Sequence, residues 1–203
     1  MDLNLIIDKY LNGEPIFIDE IPCNSKNYLR QELKRYTDNG ILVRLYNGVY
    51  YKRYKTILGT EGRVSIDKYI DKVYLNDFKN GFYTGLTLAN MYGFTTQNPA
   101  TIEVSSNKAT TKQRKQNIEG YTIIVYKPTF EINEDNLSAL QFLDLMKDID
   151  KYSEIKGEEY KCKLNNFVDK TKVNFEYVKK YISSYPPIVY KNIYEGGLMN
   201  ELL

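Results

Sequence analysis

The pair Asn47-Gly48, set between "ILVRLY" and "VYYKRY", constrains the fold of this chain more than any other feature. Asn-Gly tolerates the positive φ angles of a tight two-residue turn, and the flanking β-branched and aromatic residues suit strands. The stretch therefore predicts a β-hairpin closed by a type I′ turn. In that register Tyr46 pairs with Val49, Leu45 with Tyr50, Arg44 with Tyr51 and Val43 with Lys52. One face then turns Ile41, Val43, Leu45 and Tyr50 to the core. The other carries Arg44, Tyr46, Tyr51 and Arg53, with Leu42 and Val49 as its aliphatics.

What precedes the hairpin is helical. Leu3, Ile6, Ile7 and Tyr10 recur at helical spacing up to a stop at Asn12-Gly13. "PIFIDEIP" reads as a short β run and one helical turn between Ile18 and Ile21, ended by Pro22. Asn24 or Ser25 offers an N-cap for a second, longer helix that reaches Asn39-Gly40, where glycine supplies the left-handed C-terminal cap. Leu29, Leu33 and Tyr36 form its apolar stripe, and Lys26, Asn27, Arg30 and Lys34 lie on its other side. Helix, short helix, long helix and hairpin in that order predict a winged helix-turn-helix over residues 1–60, with the long helix in the major groove of duplex DNA.

Charge agrees with that reading. The whole chain carries only +2, but Lys26 to Lys55 holds eight basic residues against Glu32 and Asp38, a local +6, whereas Glu131 to Tyr160 holds nine acids against three lysines, a local −6. The residues expected to meet DNA are Ser25, Lys26, Asn27, Arg30 and Lys34 of the helix, and Arg44, Tyr46, Asn47, Tyr51 and Arg53 of the hairpin. Arg30 is the candidate for base contact, because a planar guanidinium can grip guanine with two hydrogen bonds. Arg44, Arg53 and the hairpin tyrosines suit phosphates, which position a module without reading sequence. A charged outer face is also what any solvated helix presents, and winged helices also dock proteins. The combination of element order, turn residues and local charge favours DNA.

Thr56 to Gly62, with two glycines and no periodicity, reads as the linker to a second domain over residues 63–203. There Ser65 is placed to cap a short helix to Tyr74, Thr84 a helix ending at Gly93, and Asn133 a third helix. "ATIEVSS" and "GYTIIVYK" read as strands separated by the polar loop "NKATTKQRKQN". In the helix that Asn133 caps, Leu137, Leu140, Leu143, Met146 and Ile149 face a core, and two further helices break at Pro186-Pro187. The expected fold is α+β: a winged helix-turn-helix, then a small mixed sheet-and-helix domain with a helical C-terminal part.

Several function classes find no support in composition. Without histidine there is no Ser-His or Cys-His nucleophile pair, no imidazole ligand and no ordinary neutral-pH proton shuttle. Cys23 and Cys162 lack metal-ligand spacing. "KNGFYTG" and "YEGGL" lack the spacing of phosphate-binding loops. The expectation is a non-enzyme without cofactor, metal or catalytic set. Acids near the N-terminus and the lack of an apolar run approaching about 18 residues suggest a cytoplasmic protein with no membrane partner.

The segments "PIFIDEIP", "LRQELKRYTDNGILVRLYNGVYYK", "GFYTGLTLANMYGFTTQNP", "LQFLDLMKDIDKYSE" and "SYPPIVYKNI" together resemble the AbiEi family of abortive-infection antitoxins over nearly the full length. "YTGLTLANMYGFTTQ" is the most specific of them. The resemblance implies a type IV toxin-antitoxin system of phage defence. In it the N-terminal module represses the promoter of its own operon, and the chain counteracts a nucleotidyltransferase-like toxin encoded alongside. The alternative is a stand-alone winged-helix regulator or protein-binding adaptor.

Overall fold

Leu3 and Ile7, one helical turn apart, are the buried residues of α1 (Leu3–Ile7), and they face Leu29, Leu33 and Tyr36 of α2 (Lys26–Asp38) across a small core. Tyr36 fixes the pair by donating its hydroxyl to Asn4 Oδ1 at 2.7 Å. β1 (Ile16–Phe17) is followed by a 3-10 turn over Ile18–Glu20, as the "PIFIDEIP" pattern predicts. The computed structural model describes residues 3–203; Met1 and Asp2, which open the expected first domain, lie outside the described residues. The chain is a mixed α+β protein with two small sheets.

β2 (Leu42–Tyr46) and β3 (Val49–Lys52) form the expected hairpin, and with β1 they make a three-stranded antiparallel sheet of order β1-β3-β2. Its inner register differs from the expected one. Of the two turn residues only Gly48 has positive φ, +76°, so the turn is not the type I′ form, which needs positive φ at both. Tyr46 still pairs with Val49, but the register then shifts and Arg44 stands opposite Tyr50, leaving Leu45 as a bulge. A bulge adds local twist, which an unprimed turn does not supply. The slip also changes faces: Leu42, not Ile41 or Val43, joins Tyr50 in the core, and Ile41 is exposed.

By contacts the chain divides into two units. The first runs to Lys72 and includes Ile118–Gly120; the second comprises Val73–Asn117 and Tyr121–Leu203. Thr56–Gly62, read as a linker, is instead a small hydrogen-bonded turn in which Lys55 bridges Glu61 and the Thr56 N–H donates to the Thr60 carbonyl at 2.8 Å. The first unit continues through α3 (Ile66–Ile70) into a π-helical turn over Asp71–Leu75.

In the second unit β4 (Gly81–Tyr83), β5 (Thr101–Ser106), β6 (Gln113–Ile118) and β7 (Tyr121–Tyr126) form a sheet of order β4-β5-β7-β6, with β5 and β7 parallel. β6 occupies "QRKQNI", inside the stretch expected as a loop; at the sheet edge it needs no apolar alternation. α4 (Gly85–Met91) packs on α5 (Leu137–Tyr152), whose Leu140, Leu143, Met146 and Ile149 are buried as their spacing predicts. Leu137 is half-buried, and the residue before the helix is Asn136, three positions after the expected cap Asn133. α6 (Gly157–Thr171), α7 (Phe175–Tyr181) and α8 (Ile188–Glu195) complete a core that includes Phe142, Leu164, Phe167, Val178 and Ile193.

Candidate nucleic-acid interface

The outer side of α2 is built as the sequence implies. Ser25, in extended conformation, accepts the Tyr28 N–H at 3.3 Å and starts the helix; Gly40, with φ +71°, ends it. Burial of Leu29, Leu33 and Tyr36 fixes the rotation, so Lys26, Asn27, Arg30 and Lys34 face solvent.

Arg30 and Lys34 of α2 and Arg44 and Asn47 of the hairpin line one open groove of about 690 Å³. The bulge at Leu45 brings Arg44 there: opposite Tyr50, it lies on the sheet face that packs toward α2. Its guanidinium donates to Asn47 Oδ1 at 2.7 Å, while that of Arg30 donates to Asn27 Oδ1 at 3.3 Å. Both arginines are thus oriented by neutral amides. Among the described residues Arg30, Lys34 and Arg44 form no ion pair, Arg30 acting on the Asp19 carboxylate only at longer range, so their donors are open to an anion.

Other expected contact residues stand elsewhere. Lys26 is paired with Asp19 at 2.6 Å, and the lysine, by hydrogen bond and charge, holds that carboxyl below its ordinary pKa. Tyr46 is exposed but does not line the groove. Arg53 is exposed at the far end of the hairpin, its N–H on the Ile41 carbonyl and its guanidinium beside Gly40. Tyr51 is the clear departure from expectation. At 4% exposure it is buried, and its hydroxyl donates to both oxygens of Glu119, at 2.9 and 3.1 Å. Burial, then the Glu119 carboxylate, pushes the phenol pKa up, so it is withdrawn from any phosphate.

The groove also contains Asp19, Thr37 and Asp38, which the sequence reading did not assign to it. Thr37 and Asp38 were findable, since they follow Lys34 by three and four positions and share its helix face. Asp19 lies in a separate turn, and no local signal places it there.

No family model matches the chain, and no curated protein matches it. Among solved structures it is similar to the crystal structure of the RV2827C protein from Mycobacterium tuberculosis, at 10% identity and a TM-score of 0.47, over 98% of this chain and 77% of that one.

Proposed function

We propose that the first unit is a winged helix-turn-helix that binds duplex DNA at the promoter of its own operon and represses it. We propose further that the whole chain is an AbiEi-like antitoxin, counteracting a nucleotidyltransferase-like toxin encoded alongside. The observation that carries the DNA reading is the groove between α2 and the hairpin, where Arg30, Lys34 and Arg44 form no ion pair among the described residues. Three cations flanking an exposed helix suit a polyanion, and the two amide-held guanidiniums are preset for directional hydrogen bonds. Asp19 and Asp38 in the same groove disfavour indiscriminate phosphate binding and leave room for donors on bases.

With roughly 4 to 6 phosphate contacts per module, the log-log salt slope of binding should be about −4 to −5. A mobility-shift titration against promoter and random duplexes tests the reading. Equal affinity for the two would remove the sequence-specific claim.

A second reading, a protein-binding adaptor, draws on the turn at Thr56–Thr60. Ile57 stands fully exposed there and Leu58 largely so, on a hydrogen-bonded tip rather than a loose linker. Co-expression with the neighbouring gene, scored for growth rescue, separates antitoxin from adaptor.

A further inference from the structure

The second unit contains a cleft of about 310 Å³ between its sheet and α5, near the lower edge of the roughly 300 to 1,000 Å³ typical of ligand pockets. Phe82, Ser105 and Tyr126 stand side by side across β4, β5 and β7 and form its floor. Leu140, Asp144, Lys147, Asp148 and Lys151 of α5 form the facing wall.

The carboxylates of this cleft are already occupied. Glu103 accepts the Leu86 N–H at 3.0 Å and the Tyr126 hydroxyl at 2.9 Å. Asp144 accepts the Thr84 hydroxyl and the Lys147 ammonium, each at 2.8 Å. Asp148 takes Lys147 at 3.5 Å and Lys151. Nor do the three acids converge as a cation-holding group among the described residues.

Donors, in contrast, are left over. Ser105 is only 3% exposed and lines the cleft, yet its hydroxyl has no hydrogen-bond partner among the described residues. Lys112 and Lys127 are neighbours, joined by a backbone hydrogen bond of 3.1 Å from Lys127 N–H to the Lys112 carbonyl. Both are exposed at the rim, and neither has an ion pair among the described residues. Like charges carried on neighbouring backbone positions repel wherever their side chains approach, and a bound anion removes that cost.

We propose that this cleft binds a small phosphate monoester. The phosphate, near −2 at neutral pH, sits between Lys112 and Lys127, neither of which is ion-paired among the described residues; because no cation pairs with Glu103, the cleft as a whole carries one net positive charge. The ester body lies among the half-buried rings of Tyr126, Tyr152 and Tyr185, and the Ser105 hydroxyl donates to an oxygen at its buried end. A carboxylate ligand neutralises only one of the two lysines, and inorganic phosphate leaves those rings uncovered. The site stands apart from the DNA reading, because all its residues belong to the second unit.

Calorimetric titration of the full chain with phenyl phosphate, inorganic phosphate and benzoate tests the proposal. Phenyl phosphate should bind about tenfold more tightly than either control. The double variant Lys112→Gln/Lys127→Gln should weaken it about tenfold or more, whereas Ser105→Ala should leave phenyl phosphate, which has no oxygen at its buried end, unchanged and weaken 4-hydroxyphenyl phosphate about three- to tenfold. The lysines are exposed, so their replacement leaves folding intact, which circular dichroism verifies. No binding of phenyl phosphate by about 10 mM, equal binding of benzoate, or affinity unchanged in the lysine variant would each overturn the proposal.

Discussion

Arg30 and Arg44 share a groove but have different origins, and this separates their expected roles. Arg30 projects from the outer face of α2, where a guanidinium can reach a base edge; Arg44 reaches the groove from the hairpin, held by Asn47. On the DNA-binding proposal, Arg30→Ala should reduce discrimination between operator and random DNA by about 1 to 3 kcal/mol, whereas Arg44→Ala should weaken both bindings alike. Competition mobility shifts on the two variants measure this, and an unchanged specificity in folded Arg30→Ala would displace the recognition helix from α2. The helix residues were legible because one apolar stripe fixes a helix's rotation. The hairpin residues were less so: a one-residue bulge in β2 turned Arg44 to the face toward α2, and the opposite face, which keeps Tyr51, is covered by Glu119 instead of lying open. In the second unit Glu154 accepts the N–H and hydroxyl of Thr96 at 2.9 and 2.8 Å, and these bonds hold its carboxyl below its ordinary value of 4.5. A depressed folded-state pKa stabilises above the ordinary value, and that contribution disappears as pH falls through the folded-state pKa. The thermal midpoint of Glu154→Gln should thus lie below that of the parent at pH 6, and the difference should shrink as pH falls below 4.5, as melts across that range would record.

Among the elements, the hairpin depends on Gly48. Its φ of +76° is costly for any other L-residue, and a Cβ there would come within 2.9 Å of Ile18 Cγ2. The same residue's carbonyl accepts the Ile18 N–H at 2.8 Å, so the turn and the 3-10 segment would be disturbed together. Gly48→Ala should cost about 1 to 3 kcal/mol in chemical denaturation. A loss below about 0.5 kcal/mol would mean that the turn relaxes freely. Elements with a buried stripe or a turn dipeptide were readable: α1, α2, α5 and the hairpin. α6 was not, because "GEEYKCKLNNFVDKT" is mostly polar and buries only Tyr160, Leu164 and Phe167, at spacings of four and three. Its helicity comes from packing on Phe142 and Tyr92 rather than from a strong local pattern. β6 was hidden for a related reason, as an edge strand of "QRKQNI" carries no apolar face to announce it.

At the scale of the molecule, the proposed DNA binding and the proposed toxin counteraction should separate with the two units. The sequence signalled two parts but drew the border at Thr56–Gly62, where two glycines mark a turn within the first unit; contacts carry that unit to Lys72. The first unit also includes Ile118–Gly120, and with them Glu119, the acceptor of the Tyr51 hydroxyl. A fragment of residues 1–72 lacks that carboxylate and keeps a phenol without its partner, which costs about 1 to 3 kcal/mol where the group stays buried. Tyr51→Phe should accordingly destabilise the full chain, and leave the 1–72 fragment unchanged or more stable. The fragment of residues 73–203 retains the helical core of Phe142, Leu164, Phe167 and Ile193 and should fold alone. On the antitoxin proposal, that fragment should restore growth against the co-expressed neighbouring toxin while failing to shift promoter DNA, and the 1–72 fragment carrying Tyr51→Phe should do the reverse. Circular dichroism establishes that each fragment is folded before the comparison is made. If the folded 73–203 fragment cannot rescue growth where the intact chain does, counteraction requires the first unit as well, and the two activities are not divided along the fold.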